Sequence, residues 1–334
     1  MMRHLLYSSL TMLLLGACVM TGCGSKKAEV KATYRQMGIE YMEQGDYAGA
    51  IEAFDAALSQ GIGTVGADEL DITYYKAAAQ YANGDIEAAI STYHAIIDFK
   101  SDAYEAYYLR GCLYGKKDDI ESAKADFANA VKYGGKDYVL YMNIYENLAG
   151  LGAMEDGITY LREALTFKND TTADLEYKGQ VYYLLGEYEN AISVLKKALE
   201  AGSTYANLYL AKCYDDMGDV TTAEGYLKTY IGTTPTDAIA LNELGEIMLG
   251  KEMYAEAVSY LEQGMACDVI PNRGALMHNL IVAYEYNGNF DKAWELVQEY
   301  VMLFPEDEEA QREYIFLKNR QMKEESTEEP ETTE

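Results

Sequence analysis

Between residues 31 and 304 the apolar positions return with a helical period, segment after segment. Tyr188, Ala191, Ile192, Leu195, Ala198 and Leu199 fall at i, i+3, i+4, i+7, i+10 and i+11, which places them on one face of a helix. Upstream, Leu175, Lys178, Gly179 and Tyr182 mark a second helix, as do Tyr34, Met37, Gly38 and Tyr41 near the start. A short phrase separates the two helices of each pair. It reads turn residue, polar residue, apolar residue, two variable positions, then a small residue, as in Gly45-Asp46-Tyr47 with Ala50 and Gly186-Glu187-Tyr188 with Ala191. Eight copies occur, starting at Gly45, Gly84, Asp118, Gly152, Gly186, Gly218, Glu252 and Gly288, with spacings of 39, 34, 34, 34, 32, 34 and 36 residues. A regular period of this size predicts eight stacked helix pairs rather than compact domains. Glycine in the turn supplies a left-handed backbone position, and the Asp or Asn after it caps the next helix.

Small and large residues alternate around the turn for a packing reason. Ala stands five residues after it in seven copies and Gly157 in the eighth, while Gly38, Gly111, Gly179 and Gly245, with Ala77 and Ala211, stand seven before it. Tyr41, Tyr114, Tyr182, Tyr214 and Tyr284 stand four before it. Small positions let helices approach, and large neighbours fill the remaining gap.

The pattern Gly-x-x-Tyr-x-x-x-Gly-[Asp/Glu]-Tyr-x-x-Ala, nearly whole at residues 38–50 and 179–191, resembles the tetratricopeptide repeat. The resemblance implies an all-α fold, an α-solenoid wound as a right-handed superhelix of about eight helix-turn-helix repeats plus a C-terminal capping helix, and a mode of action in which a protein or peptide lies on the inner face. The inter-repeat proline of that family is matched by Pro235 and Pro305. Repeat four carries Tyr145 at the small site with Gly157 for Ala, and repeat eight carries Ile281 there, so helix geometry is in question at those two places.

The ends follow a different logic. Residues 1–22 have a basic start at Arg3, an apolar stretch from Leu5 to Leu15 and small residues after it, the pattern of a secretory signal peptide. Met20-Thr21-Gly22-Cys23 resembles a bacterial lipobox, which implies lipidation of Cys23. Leu15-Gly16-Ala17-Cys18 is a competing match, less favoured because cutting there leaves apolar Val19-Met20 at the tether. The expected layout is a signal peptide at 1–22, a lipidated N-terminus and short linker at 23–30, eight repeats at 31–304, a capping helix at 305–323 and an acidic disordered tail at 324–334. In the capping helix Tyr314, Ile315 and Leu317 are expected to face inward, and Arg312, Lys318 and Arg320 outward. The expected location is the extracytoplasmic face of a bacterial membrane, reached through the lipid.

Charge narrows the partner. Over 334 residues, 55 acids face 27 basic residues, a net charge of −28. Such a balance excludes adsorption to anionic lipid and disfavours nucleic acid, whose backbone needs clustered Lys and Arg. It favours a basic or neutral protein segment. No apolar run long enough to span a bilayer lies beyond the first two dozen residues.

Chemistry of other kinds finds no foothold in the sequence. Cys112, Cys213 and Cys267 form no CxxC or metal spacing and read as small buried residues. His94 and His278 stand far apart; His94 is expected at the surface, and His278 either at the surface or on the groove. No catalytic residues, cofactor or metal are assigned, and a small-molecule ligand is not expected. Gly61-Ile62-Gly63-Thr64-Val65-Gly66 spells GxGxxG but follows a helical segment, so it reads as a loop rather than a phosphate site. By repeat register, the first helices present Tyr74, Tyr81, Tyr108, Met142, Glu146, Glu176, Tyr183, Tyr205, Asn242, Glu246, Glu285 and Tyr286 as peptide-groove candidates, an acidic and aromatic surface. The paired Lys and Asn with which some relatives clamp a terminal carboxylate are replaced by Arg35, Ile39, Tyr74, Ala78, Tyr108 and Cys112. The alternative reading is a solute-binding or envelope-assembly lipoprotein of another mechanism. A solute-binding fold would alternate strands with helices, for which this repeat leaves no room.

Overall fold

A computed structural model of the chain describes residues 23–61, 66–168 and 171–328. Seventeen helices run through them with no strand among the described residues, which removes the strand-helix plan of a solute-binding receptor. They fall into two compact units, divided in sequence after Lys168. The first holds α1 (Cys23–Glu43), α2 (Tyr47–Ser59), α3 (Ala67–Ala82), α4 (Ile86–Phe99), α5 (Tyr104–Lys116), α6 (Ile120–Gly134), α7 (Tyr138–Gly150) and α8 (Met154–Ala164). The second holds α9 (Thr172–Leu184), α10 (Tyr188–Glu200), α11 (Ala206–Asp216), α12 (Val220–Thr233), α13 (Ala238–Gly250), α14 (Tyr254–Met265), α15 (Arg273–Tyr286), α16 (Phe290–Leu303) and α17 (Glu308–Glu328). Within each unit a helix packs mainly on its neighbours in sequence, and odd-numbered helices also touch one another. This is an α-solenoid of helix pairs.

One backbone device closes every pair. The residue at the turn takes the left-handed conformation, with φ between 71° and 88° at the six glycines. Asp118 and Glu252 hold the same conformation at φ 58° and 59° where glycine is missing. The next backbone N–H then reaches back to the carbonyl five residues earlier, from Asp46 to Tyr41, Glu187 to Tyr182, Asp219 to Tyr214 and likewise in the other five, at 2.7–3.0 Å. That bond satisfies a helix-end carbonyl and sets the reversal. Asp46, Asp85, Asp119 and Asp219 complete it by accepting the N–H of Gly49, Ala88, Ser122 and Thr222 at the start of the second helix. Each such cap is worth about 0.5–2 kcal/mol.

Packing explains the small positions. A Cβ added to Gly38 would lie 2.4 Å from the ring of Phe54, on Gly111 2.8 Å from Phe127, on Gly179 2.4 Å from Leu195 and on Gly245 2.5 Å from Leu261. All four partners are buried. Each stands sixteen residues after its glycine, on the second helix of the same pair. The alanines five residues after the turn are all fully buried. The two irregular repeats keep regular helices because volume is traded across the same contact. In the fourth, Gly157 opens space for Tyr145, its virtual Cβ being 3.0 Å from the tyrosine ring. In the eighth, buried Ile281 stands sixteen residues before the smaller Val297.

The ends differ from the sequence expectation. α1 starts at Cys23 and runs through residues 23–30, read as a linker; Lys26-Lys27-Ala28-Glu29 contains no helix breaker. α17 continues to Glu328, past the predicted end at 323. Residues 329–334 of the acidic tail lie outside the described residues, as do the signal peptide, Cys18 and residues 62–65 of the glycine loop. In α17, Ala310 and Leu317 are buried and Tyr314 packs on Trp294, but Ile315 is 56% exposed rather than inward. Arg320, expected to point outward, lies 3.6 Å over the ring of Phe290. Register gives the reason. Pro305-Glu306-Asp307 repeats Pro235-Thr236-Asp237, so Ile315 takes the place of Gly245 and faces the side where a second helix would pack. Among the described residues α17 has no such second helix. The two aspartates behave alike: Asp237 accepts from the Tyr230 hydroxyl at 2.8 Å and Asp307 from Tyr300 at 2.9 Å.

Two glycines should respond in opposite directions. Gly245→Ala forces a methyl into Leu261 and should destabilise the protein by about 1–3 kcal/mol. Gly225→Ala, in a helix with nothing within 4 Å of the new methyl, should stabilise it by about 0.5–1 kcal/mol. Urea unfolding followed by circular dichroism distinguishes them, and equal effects would contradict the close-crossing explanation.

Candidate functional site

The odd-numbered helices carry the residues that sequence register selected. In the first unit their side chains are mostly committed to each other. Tyr74 is largely buried and packs on Tyr93, at 6.1 Å between rings. Tyr81 packs beside it in the same cluster. Tyr108 packs on Phe127 with the rings tilted and 6.0 Å apart, and its hydroxyl accepts the Asn147 amide at 3.2 Å, tying α5 to α7. Met142 is buried, so it offers no surface to a partner. Glu146 is exposed as a residue, although partial burial raises its carboxyl pKa. Between α1 and α3, Lys31 pairs with Glu69 at 2.7 Å and Arg35 with Asp71 at 2.6 Å. That stretch of surface is therefore neutralised internally.

The second unit is different. A cavity of about 490 Å³ is lined by Tyr183 of α9, Lys212, Asp215 and Asp216 of α11, and Glu243 and Glu246 of α13, over a floor that includes Val220, Leu227 and Ile247. Lys212 pairs with Glu243 at 2.6 Å across α11 and α13. Lys251, at the rim, is held by Glu224. Asp216 accepts hydrogen bonds from Tyr183 and Tyr188, and burial followed by that bond raises the Tyr183 pKa. Among the described residues no Lys or Arg pairs with Asp215, Asp216 or Glu246. Burial, then the like charges of Asp216 and Glu246, raise the Asp215 carboxyl. Burial raises Glu243 as well, against the pull of Lys212. The helix ends add to this negative field. Tyr183, Asp215 and Asp216 lie in the last turns of α9 and α11, and Gly250 ends α13, all without a basic residue in the last turn. Helix C-termini carry partial negative charge.

Other candidates in this unit surround that cavity or stand apart from it. Asn242 is buried, which corrects its place on the groove. Its amide donates to Glu246 at 2.8 Å, and Asn279 of α15 donates to Asn242 at 3.0 Å and to Glu246 at 2.7 Å. Tyr205, just before α11, is 38% exposed and packs between Tyr209 and Tyr230 at 5.8 and 6.0 Å. Glu176 is half-buried on α9 and adds its charge to the surroundings of Tyr205. Tyr286 is exposed and stacks on Tyr254 at 5.0 Å. Glu285 faces Glu313 of α17 instead of the cavity.

Lys212, Asp215, Asp216 and Glu243 were not among the sequence candidates. Two of them carried a readable signal. Asp215 stands three residues before its turn, as Tyr183 and Tyr81 do, and Lys212 stands six before, as Glu246 and Glu146 do.

Of the cysteines, Cys112 and Cys213 are buried, and Cys267 is only partly so. His94 is exposed on α4, with Nδ1 2.8 Å from Arg110 and Nε2 3.4 Å from Asp98. His278 is half-buried and packs on Tyr300 at 6.2 Å.

Close-packed helix pairs joined by left-handed turns, with small residues at every crossing, fit one family, and comparison with known proteins agrees. A family model described as tetratricopeptide repeat matches residues 35–105, and one described as intraflagellar transport protein 56 matches residues 73–326. The chain belongs to the tetratricopeptide-repeat family. A tetratricopeptide-repeat protein from Parabacteroides merdae shares its fold with a TM-score of 0.53 at 12% identity, over 76% of this chain and 99% of that one. The type IV pilus biogenesis factor PilW aligns at 0.48 and 21% identity over 63% and 97% of the two chains. The human IFIT1 dimer with m7Gppp-AAAA aligns at 0.46 and 15% over 88% and 78%. No curated protein sequence matches the chain. As a tetratricopeptide-repeat protein, it has a fold suited to protein–protein interaction. No group of three or more His, Cys, Asp or Glu among the described residues could hold a metal ion.

Proposed function

We propose that this tetratricopeptide-repeat protein is a lipid-anchored, non-catalytic scaffold outside a bacterial cytoplasmic membrane, which holds a basic or neutral extended segment of another protein on its odd-numbered helices. The cavity over α9, α11 and α13 carries the reading. Three carboxylates without a cationic partner surround an apolar floor, so a Lys or Arg side chain entering it would bury its aliphatic stem and bring its charge to Asp215, Asp216 and Glu246. Tyr183 at its wall and half-exposed Tyr205 on the same unit supply broad contact area at low entropic cost. The same carboxylates repel phosphate, which argues against RNA in this cavity.

The anchor rests on the motif Met20-Thr21-Gly22-Cys23. Two acyl chains make attachment stable where one is marginal. No helix among the described residues is long and apolar enough to cross a membrane, and the proposed attachment is the lipid on Cys23.

Two experiments test the halves separately. A decapeptide alternating Lys and Gly should bind the mature protein in titration calorimetry, weaken as salt rises, and lose tenfold or more in affinity in the Asp215→Lys/Asp216→Lys/Glu246→Lys variant. Unchanged affinity would contradict the cavity assignment, as would tighter binding of an RNA decamer. Metabolic labelling with an alkyne fatty acid should mark the wild type and Cys18→Ala and fail in Cys23→Ala. Label retained in Cys23→Ala would sink the anchor.

A further inference from the structure

The cavity over α9, α11 and α13 has a filled counterpart seventy residues further along the chain. Pro235-Thr236-Asp237 and Pro305-Glu306-Asp307 fix that offset, which carries Val220 onto Phe290, Gly250 onto Arg320 and Asp215 onto Glu285. At the later place the Arg320 side chain reaches from α17 to α16, and its guanidinium carbon lies 3.6 Å from the centre of the Phe290 ring. At the earlier place the same two positions are cut down to Val220 and Gly250, and both line the cavity. A Cβ added to Gly250 would have nothing within 4 Å.

These residues belong to a series. The second residue after each turn stands beside the residue two before the next turn. Tyr188 is hydrogen-bonded to Asp216, Tyr254 stacks on Tyr286 at 5.0 Å, and Phe290 lies under Arg320. Val220 and Gly250 are the step at which both side chains are small, and the cavity opens there. We propose that the cavity is an arginine slot. This rests on the reading that the site holds a segment of another protein. That segment enters the slot with an arginine side chain, whose guanidinium takes the place that Arg320 fills two repeats later.

The acceptors around the slot suit a guanidinium better than an ammonium. Asp215 and Asp216 close α11 on one side, and Glu246 stands on α13 on the other. A guanidinium carries five N–H donors in a rigid plane, so it can serve carboxylates on two sides while its flat face lies against a ring such as Tyr183. An ammonium is a compact, strongly hydrated point charge. The cavity already holds one, and Lys212 gives it to Glu243 at 2.6 Å. Val220, Leu227 and Ile247 supply the apolar floor along which the stem of the arginine lies.

Two decapeptides of equal charge separate arginine from lysine. In titration calorimetry, one alternating Arg and Gly should bind the mature protein about tenfold tighter than one alternating Lys and Gly. Gly250→Leu puts a side chain into the slot from a helical position with room for it, and leucine is the better helix former, so the variant should keep its helical circular dichroism and melt no earlier. Its affinity for the Arg peptide should fall to that for the Lys peptide. Gly250→Arg copies the later arrangement and should likewise abolish the preference. Equal affinities in the wild type would overturn the arginine slot and leave the basic-segment reading standing, whereas failure of both peptides to bind would remove both. A preference that survives in Gly250→Leu and Gly250→Arg would overturn the slot by placing the selectivity elsewhere.

Discussion

The fold depends on one contact, repeated along the chain: the close crossing of the two helices of a pair, which in four of the eight pairs leaves no room for a side chain on one of them. At Gly38, Gly111, Gly179 and Gly245 even a methyl group would overlap the large residue sixteen positions later. The glycine lacks a side chain to pack, and its helix is weaker for it by about 1 kcal/mol. Burial of Phe54, Phe127, Leu195 and Leu261 offsets that weakness, since a fully buried side chain of this size contributes about 1.5–3 kcal/mol. The turn geometry serves the same contact. The left-handed residue and the bond back to the carbonyl five residues earlier deliver the second helix at the one separation where small meets large.

That arrangement explains why function sits on the odd-numbered helices. The even-numbered helices spend their apolar faces on the small positions of their partners and of the next pair. The odd-numbered helices meet one another through their flanks, and there the chain uses polar links: Lys31–Glu69 and Arg35–Asp71 in the first unit, Lys212–Glu243 and Asn279–Glu246 in the second. Where the links balance, the surface is neutral. At α9, α11 and α13 they do not balance, and a negative cavity is left over.

Periodicity made the architecture legible, because a helix pair repeated about every 34 residues leaves little choice of fold. The irregular repeats looked doubtful only because the compensation is not local. Gly157 is read as a defect until it is seen opposite Tyr145, and Ile281 until it is set against Val297, a smaller residue sixteen positions on. The site was legible by register but not by burial. Met142 and Asn242 occupy groove positions and are nevertheless buried, and at Asn242 the amide of Asn279 on the next odd helix reaches across to it. Asp215 was readable from its distance to the turn. Glu243 was not, since its position gains meaning only through the Lys212 pair. Ile315 was misplaced because amphipathic spacing shows which residues share a face and not whether a partner helix covers it.

The central claim is that the unbalanced carboxylates on three consecutive odd-numbered helices form the binding surface. Amide hydrogen exchange of the mature protein, with and without a saturating Lys-Gly decapeptide, tests it most directly. The account predicts slowed exchange in the last turns of α9 and α11 and along the second half of α13, with no response to a Glu-Gly decapeptide. Protection confined to the even-numbered helices, or an equal response to the acidic peptide, would contradict it.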